Sequence, residues 1–179
     1  MLMTAKDSVL LVIDVQDRLL PHIHEGAGVL EHAGWLVRVA GRLGVPVLAT
    51  EQYPRGIGPT HTDLAALLPA PPAQKLHFSS VASGALAGEP AFARPQFVLC
   101  GIEAHVCVLQ TALELKAMGR EVFVVDEATG SRRAADKALG LARMRAHGVE
   151  IVSREMVAFE WLHESGTALF KDVSREFLR

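Results

Sequence analysis

Cysteine is scarce in this chain. The two that occur, Cys100 and Cys107, do not form a CxxC pair, which excludes a disulfide scaffold and a thiolate metal knuckle. Charge of one sign is also lacking: 18 lysines and arginines are scattered among 20 acidic residues, so no basic stripe is offered to a nucleic-acid backbone. Long apolar runs are absent too. Stretches such as Val9–Ile13 and Phe97–Cys100 fall far short of the ~20 residues a membrane-crossing helix needs. Residues Met1–Asp7 lead almost directly into a strand without the charged, apolar and cleavage regions of a secretory leader. A cytoplasmic protein with neither a membrane nor a nucleic-acid partner is expected.

What is present is a chain of 179 residues, half of them hydrophobic, with no internal repeat or linker. That is the size of one domain, spanning 1–179, able to bury roughly 70% of its unfolded surface. Short β-branched runs alternate with longer helical segments, the pattern of an α/β fold whose mostly parallel sheet is covered by helices on both faces. Strands are expected at Val9–Asp14, Pro46–Thr50, Gln96–Gly101, Glu121–Asp126 and Val149–Ser153, with a shorter one at Lys75–Ser79. Helices are expected at Val29–Arg42, His105–Met118 and Arg133–His147, followed by Gly44, Gly119 and Gly148 as left-handed stops. A proline- and glycine-rich stretch lies between the second strand and Lys75. Loops of that length usually cover or carry a site. The aromatic segment Met156–Leu178 reads as one or two helices that dock on the domain or supply a subunit contact.

Doubly wound sheets bind ligands beyond the carboxyl ends of their strands. Asp14 closes the first strand there, Lys75 opens the short one, and Cys107 falls in the first turn of the helix after Gln96–Gly101. A thiol at that position faces unpaired N–H groups and the positive end of the helix dipole, so a thiolate is expected. A base, a cation and a thiol together make a nucleophilic catalyst. Cys100, mid-strand, reads as core. His22 and His24 lack further metal ligands, and His61 and His77 are lone histidines. The first strand is followed by Val15-Gln16-Asp17-Arg18, which is neither a dinucleotide-binding glycine loop nor a phosphate loop. Gln16 also stands where an aspartate-dependent phosphatase would carry its second acid.

The segments VLLVIDVQDRLLP, TEQYPRGIGPT, QKLHFS and LCGIEAHVCVLQTALELKAMGREVFVVDEATGSR resemble the isochorismatase-like hydrolases over nearly the whole chain. GIEAHVCVLQTALEL and REMVAFEWL are similar to the branch of isochorismatase domain-containing proteins. The resemblance implies a Rossmann-like, six-stranded sheet of order 3-2-1-4-5-6 and a triad of Asp14, Lys75 and Cys107. It implies amide hydrolysis through a Cys107 thioester, with an oxyanion hole from the backbone N–H groups of Glu103 and Cys107 and a cis peptide between Ile102 and Glu103. Members that hydrolyse the vinyl ether isochorismate lack the cysteine, so Cys107 argues against that activity. Nicotinamidases carry metal ligands after the second strand, where this chain reads Thr50-Glu51-Gln52-Tyr53-Pro54; neither metal nor any other cofactor is expected. Leu19, Gln52, Tyr53 and His105 are expected to line the pocket for a small-molecule substrate, and a homo-oligomer is expected. The alternative is a binding or scaffold protein on the same fold with an idle triad.

Overall fold

The alternation of apolar positions along β1 (Ser8–Ile13) sets up two cores. Leu10 and Val12 point to one face of the sheet and Val9, Leu11 and Ile13 to the other, and all are buried. In the computed structural model, which describes residues 1–178, β1 is joined by β2 (Val47–Gln52), β3 (Ala73–Lys75), β4 (Gln96–Ile102), β5 (Glu121–Gly130) and β6 (Glu150–Val152). They form one sheet in the order β3-β2-β1-β4-β5-β6, with every pairing parallel, as expected. One face is covered by α1 (Gly26–Leu43), whose Ala33, Leu36 and Val37 meet Leu10, Val12 and Val98. The other is covered by α4 (Leu109–Ala117) and α5 (Ala134–Ala146), whose Leu115 and Met144 meet Leu11, Leu99 and Val124. Each fully buried aliphatic side chain here contributes about 1.5–3 kcal/mol.

Several boundaries differ from expectation. The short strand ends at Lys75 instead of beginning there, because the chain beyond turns back so that the carbonyls of His77 and Phe78 reach the Lys75 side chain. The proline-rich stretch holds two single-turn helices, α2 (Pro54–Ile57) and α3 (Thr62–Ala65). β5 runs four residues beyond Asp126, after a shift in its register with β4 between Leu99 and Gly101. The segment expected as a helix from His105 opens instead as a π-helical turn, Ala104–Val108, before α4 begins. The C-terminal segment forms α6 (Arg154–Leu162) and α7 (Ala168–Phe177) and docks on its own domain. Trp161 Nε1 donates to Ser8 Oγ at 3.0 Å, and Phe177 packs edge-on against Trp35.

β1 lies between β2 and β4, so the chain leaves its carboxyl end toward one side while β4 departs toward the other. The strand order reverses at this point, and the diverging loops leave a crevice. β1 and β4 approach closely there: a Cβ on Gly101, whose φ is 125°, would lie 2.0 Å from the Ile13 carbonyl oxygen. Only glycine fits at that contact.

Candidate active site

Asp14 follows the last residue of β1 with φ at 53°, in the left-handed region that a short polar residue tolerates better than a branched one. Its N–H donates to the Thr50 carbonyl at 3.1 Å, which holds the carboxyl group inward over the strand ends. Thr50 Oγ1 donates to Asp14 Oδ1 at 2.8 Å, and Lys75 Nζ donates to Asp14 Oδ2 at 2.6 Å. Both members of that ion pair have side chains 0% exposed.

Burying an ammonium is costly unless its donors are satisfied. Here Lys75 Nζ also donates to Gln52 Oε1 at 2.8 Å and to the Phe78 carbonyl at 2.9 Å, with the His77 carbonyl at 3.3 Å. Parallel pairing of β2 with β3 sets Gln52 directly beside Lys75, which is why two residues distant in sequence share one centre.

Cys107 sits in the π-helical turn, a feature that often marks functional sites. The Glu103 carbonyl accepts from Val106 and Val108, and the Glu103 backbone favours the ionised form of the Cys107 thiol. Asp14 and Lys75 both act electrostatically on the Cys107 thiol, and Lys75 is bonded to Asp14, so the three expected catalytic residues are neighbours at the strand ends. The Ile102–Glu103 peptide is cis. Glu103 is tied down from the β5–α5 connection: its Oε2 accepts from both the backbone N–H and Nε of Arg132 at 3.0 Å.

The expected lowering of the Cys107 thiol by the helix end is opposed by its surroundings. Burial pushes the Cys107 thiol up from its ordinary value, and the neighbouring Asp14 charge pushes the same way, against smaller opposing effects of Lys75 and the Glu103 N–H. The pull of a helix N-terminus is outweighed because the residue is only 6% exposed and faces a carboxylate. Burial also raises the Asp14 carboxyl, opposed by Lys75, Thr50 and Cys107. A carboxylate raised by desolvation is a stronger base than an exposed one. Cys100 is fully buried and its thiol is pushed up to about 12 by burial alone.

A cleft of about 510 Å³ opens beside Lys75, lined among others by Tyr53, Arg55, Leu76, His77 and Ser83. Tyr53 is at this opening, whereas Gln52 spends its side chain on Lys75 and on the Leu76 carbonyl. Leu19 packs half-buried against the α1-side core, and His105 Nδ1 lies 2.9 Å from Ser131 Oγ; neither lines this cleft. Among the described residues no cluster of three or more His, Cys, Asp or Glu side chains could hold a metal. Glu51, in the segment where nicotinamidases carry ligands, instead accepts from the Thr60 N–H and hydroxyl at 2.7 and 2.9 Å. No helix among the described residues is long and apolar enough to cross a membrane.

From sequence alone Thr50 and Arg132 carry no site role, and Gln16 stands out only as a position without an acid. Thr50 pairs with Ile13 across the sheet, a proximity visible only once the register is known. Gln16 Oε1 accepts from the Gln52 N–H at 2.7 Å, and its Nε2 donates to the Gln52 and Gly58 carbonyls at 3.0 and 2.6 Å. A buried glutamine two residues after a strand-end aspartate was the only available signal.

Comparison with known proteins matches the isochorismatase domain to residues 8–156. Isochorismatase domain-containing protein 2 of Danio rerio is 33% identical over 174 residues, covering 97% of this chain and 88% of that protein. Among solved structures, the MAR1 ribonuclease of Caenorhabditis elegans superposes with a TM-score of 0.90 at 29% identity, covering 100% of this chain and 93% of that one. The YcaC gene product of Escherichia coli, described as an octameric hydrolase of unknown specificity, shares the fold with a TM-score of 0.89 at 22% identity over 99% of this chain and 91% of that one.

Proposed function

The chain belongs to the isochorismatase family of hydrolases, and from that premise we propose that it cleaves a small amide-like C–N bond through a thioester on Cys107. The observation that carries this reading is the fully buried Lys75–Asp14 pair at 2.6 Å, close enough to the Cys107 thiol to act on it electrostatically. Asp14 takes the thiol proton as sulfur attacks the carbonyl carbon. Backbone N–H groups of Glu103 and Cys107 hold the oxyanion, a contribution of about 3–4 kcal/mol per donor in comparable sites. The C–N bond then breaks, and the departing nitrogen takes its proton from Asp14. Water next gives a proton to Asp14 and attacks the thioester, and the sulfur leaves with that proton as the thiol. The cycle consumes one amide and one water and releases one amine and one carboxylic acid. Lys75 keeps Asp14 ionised between steps and offsets the charge that develops on sulfur.

The ribonuclease name of the C. elegans neighbour raises phosphodiester cleavage as a second reading. The chemistry of the site favours the amide. The buried Lys75 is neutralised by Asp14 and saturated with acceptors, so it has no free donor for a phosphate. Among the described residues lining the cleft only Arg55 offers a free cation beside Tyr53, Leu76 and His77, which falls short of the several cations a polyanion would need.

The test is ammonia release from a panel of carboxamides, carbamates and ureas, with Cys107→Ala as the blank. Release by the native protein alone supports the reading. Absence of release across the panel, together with a Cys107 that no alkylating agent labels, refutes it in favour of a binding or scaffold role. We further propose a cytoplasmic homo-oligomer, the assembly by analogy with the octameric YcaC product. A monomer in sedimentation velocity at micromolar concentration would exclude the assembly.

A further inference from the structure

Lys75 has three N–H donors and no acceptor, so its position is set by whichever three acceptors surround it. Asp14 is one and the Phe78 carbonyl another; both belong to the catalytic centre or its own turn. The third at close range is the side chain of Gln52, at 2.8 Å, nearer than the His77 carbonyl at 3.3 Å. The orientation of that amide is fixed by its neighbours. Its Nε2 donates to the Leu76 carbonyl at 2.7 Å, and a flipped amide would set N–H groups against the ammonium and two oxygens against each other. Both ends are thereby engaged, which fixes the direction in which the amide oxygen faces Lys75.

The backbone of Gln52 is held just as firmly. Gln16, 0% exposed, accepts from the Gln52 N–H at 2.7 Å and donates to its carbonyl at 3.0 Å. Gln16 is two residues from Asp14, so one buried glutamine couples the loop that carries the base to the residue that aims the cation.

We propose that Gln52 is a positioning residue, which with Gln16 fixes the Lys75 ammonium on Asp14 while adding no charge to the site. Neutrality is the functional point. A carboxylate at Gln52 would also accept from Lys75, but it would compete with Asp14 for the ammonium and place a second negative charge near a thiol that must lose its proton. An apolar side chain would leave that donor only the more distant His77 carbonyl and release Lys75 from its fixed direction. Either change weakens the help Lys75 gives to the thiolate. The inference rests on the reading of Cys107 as the nucleophile.

The experiment follows iodoacetamide labelling of Cys107 against pH by peptide mapping, in the native protein and in Gln52→Glu and Gln52→Leu, with Cys100 as the internal reporter of unfolding. In both variants the labelling inflection is expected to move up by about one pH unit, and labelling at neutral pH to slow about tenfold, while Cys100 remains unlabelled. A glutamine that only stabilised the fold would change the melting temperature and leave the inflection in place. Variant profiles that superimpose on the native one, with Cys107 still labelled selectively, overturn the role of Gln52 and spare the nucleophile. Equal labelling of Cys107 and Cys100 in the native protein overturns both. If Gln52→Leu exposes Cys100, the Gln52→Glu profile alone decides, since that variant keeps an acceptor for Lys75.

Discussion

Replacing Lys75 by methionine removes the cation 2.6 Å from Asp14 while keeping a similar volume in a site closed to solvent. The carboxyl group keeps the Thr50 hydroxyl but loses its counter-ion, so it holds a proton in the folded state. At neutral pH, folding must then protonate a group that is ionised in the unfolded chain. With an unfolded value near 3.9 and about 1.4 kcal/mol per pH unit, the penalty at pH 7 is about 4 kcal/mol. That agrees with the ~3–5 kcal/mol typical of removing one partner of a buried pair. The sign follows from a folded value raised above the unfolded one: for a carboxyl group the penalty is present above the unfolded value and disappears as pH falls toward it. The stability gap between native protein and Lys75→Met should therefore narrow between pH 7 and pH 5, by at most about 3 kcal/mol, since burial already raises Asp14 in the native protein. Urea unfolding followed by tryptophan fluorescence at the two pH values measures it, since Trp35 and Trp161 are both buried. The double variant Asp14→Asn, Lys75→Met should recover most of the loss, because it leaves no charge to bury. A gap under about 1 kcal/mol at pH 7, or one that does not narrow on acidification, would refute the buried ion pair and the catalytic account built on it.

Asp14→Asn should abolish turnover yet speed iodoacetamide labelling of Cys107 at neutral pH, because Asp14 pushes that thiol up while Lys75 opposes it; slower labelling would mean the carboxylate does not set the state of the thiol. Cys100, pushed up to about 12 by burial, should label only after unfolding in every variant. Gly101→Ala places a Cβ 2.0 Å from the Ile13 carbonyl, a backbone atom that cannot swing aside. The cost should reach about 3 kcal/mol or more, and a soluble variant that melts within a few degrees of the native protein would show that the strands separate there at little cost.

The fold was legible because its determinants are local. The near-continuous apolar runs of β1 and β4, the glycines after α1 and α4, and the alternation of strand with helix are read over a dozen residues at a time. Boundaries were less legible wherever a long-range bond ends an element. Nothing near Lys75 in sequence announces that β3 stops there, because the cause is an ammonium recruiting the carbonyls of His77 and Phe78 after it has met Asp14, 61 residues away. The π-helical turn before α4 was equally hidden, since Ala104–Val108 has an ordinary helical composition.

The sequence by itself determined which residues stand at the strand ends: Asp14 after an apolar run, Cys107 after the run ending at Gly101, and Lys75 after a proline-rich loop. Chain periodicity and turn chemistry are enough for that. Tertiary structure alone decided what those residues are chemically. The dipole argument gave Cys107 as a thiolate, but the fold excludes water from it and sets it against a carboxylate, and desolvation with like charge outweighs a helix end. Gln52 looked like a wall of the pocket until parallel register placed its amide on Lys75. Charge state and hydrogen-bond partners depend on solvent exclusion and on neighbours brought from distant strands, and both exist only once the chain has closed around them.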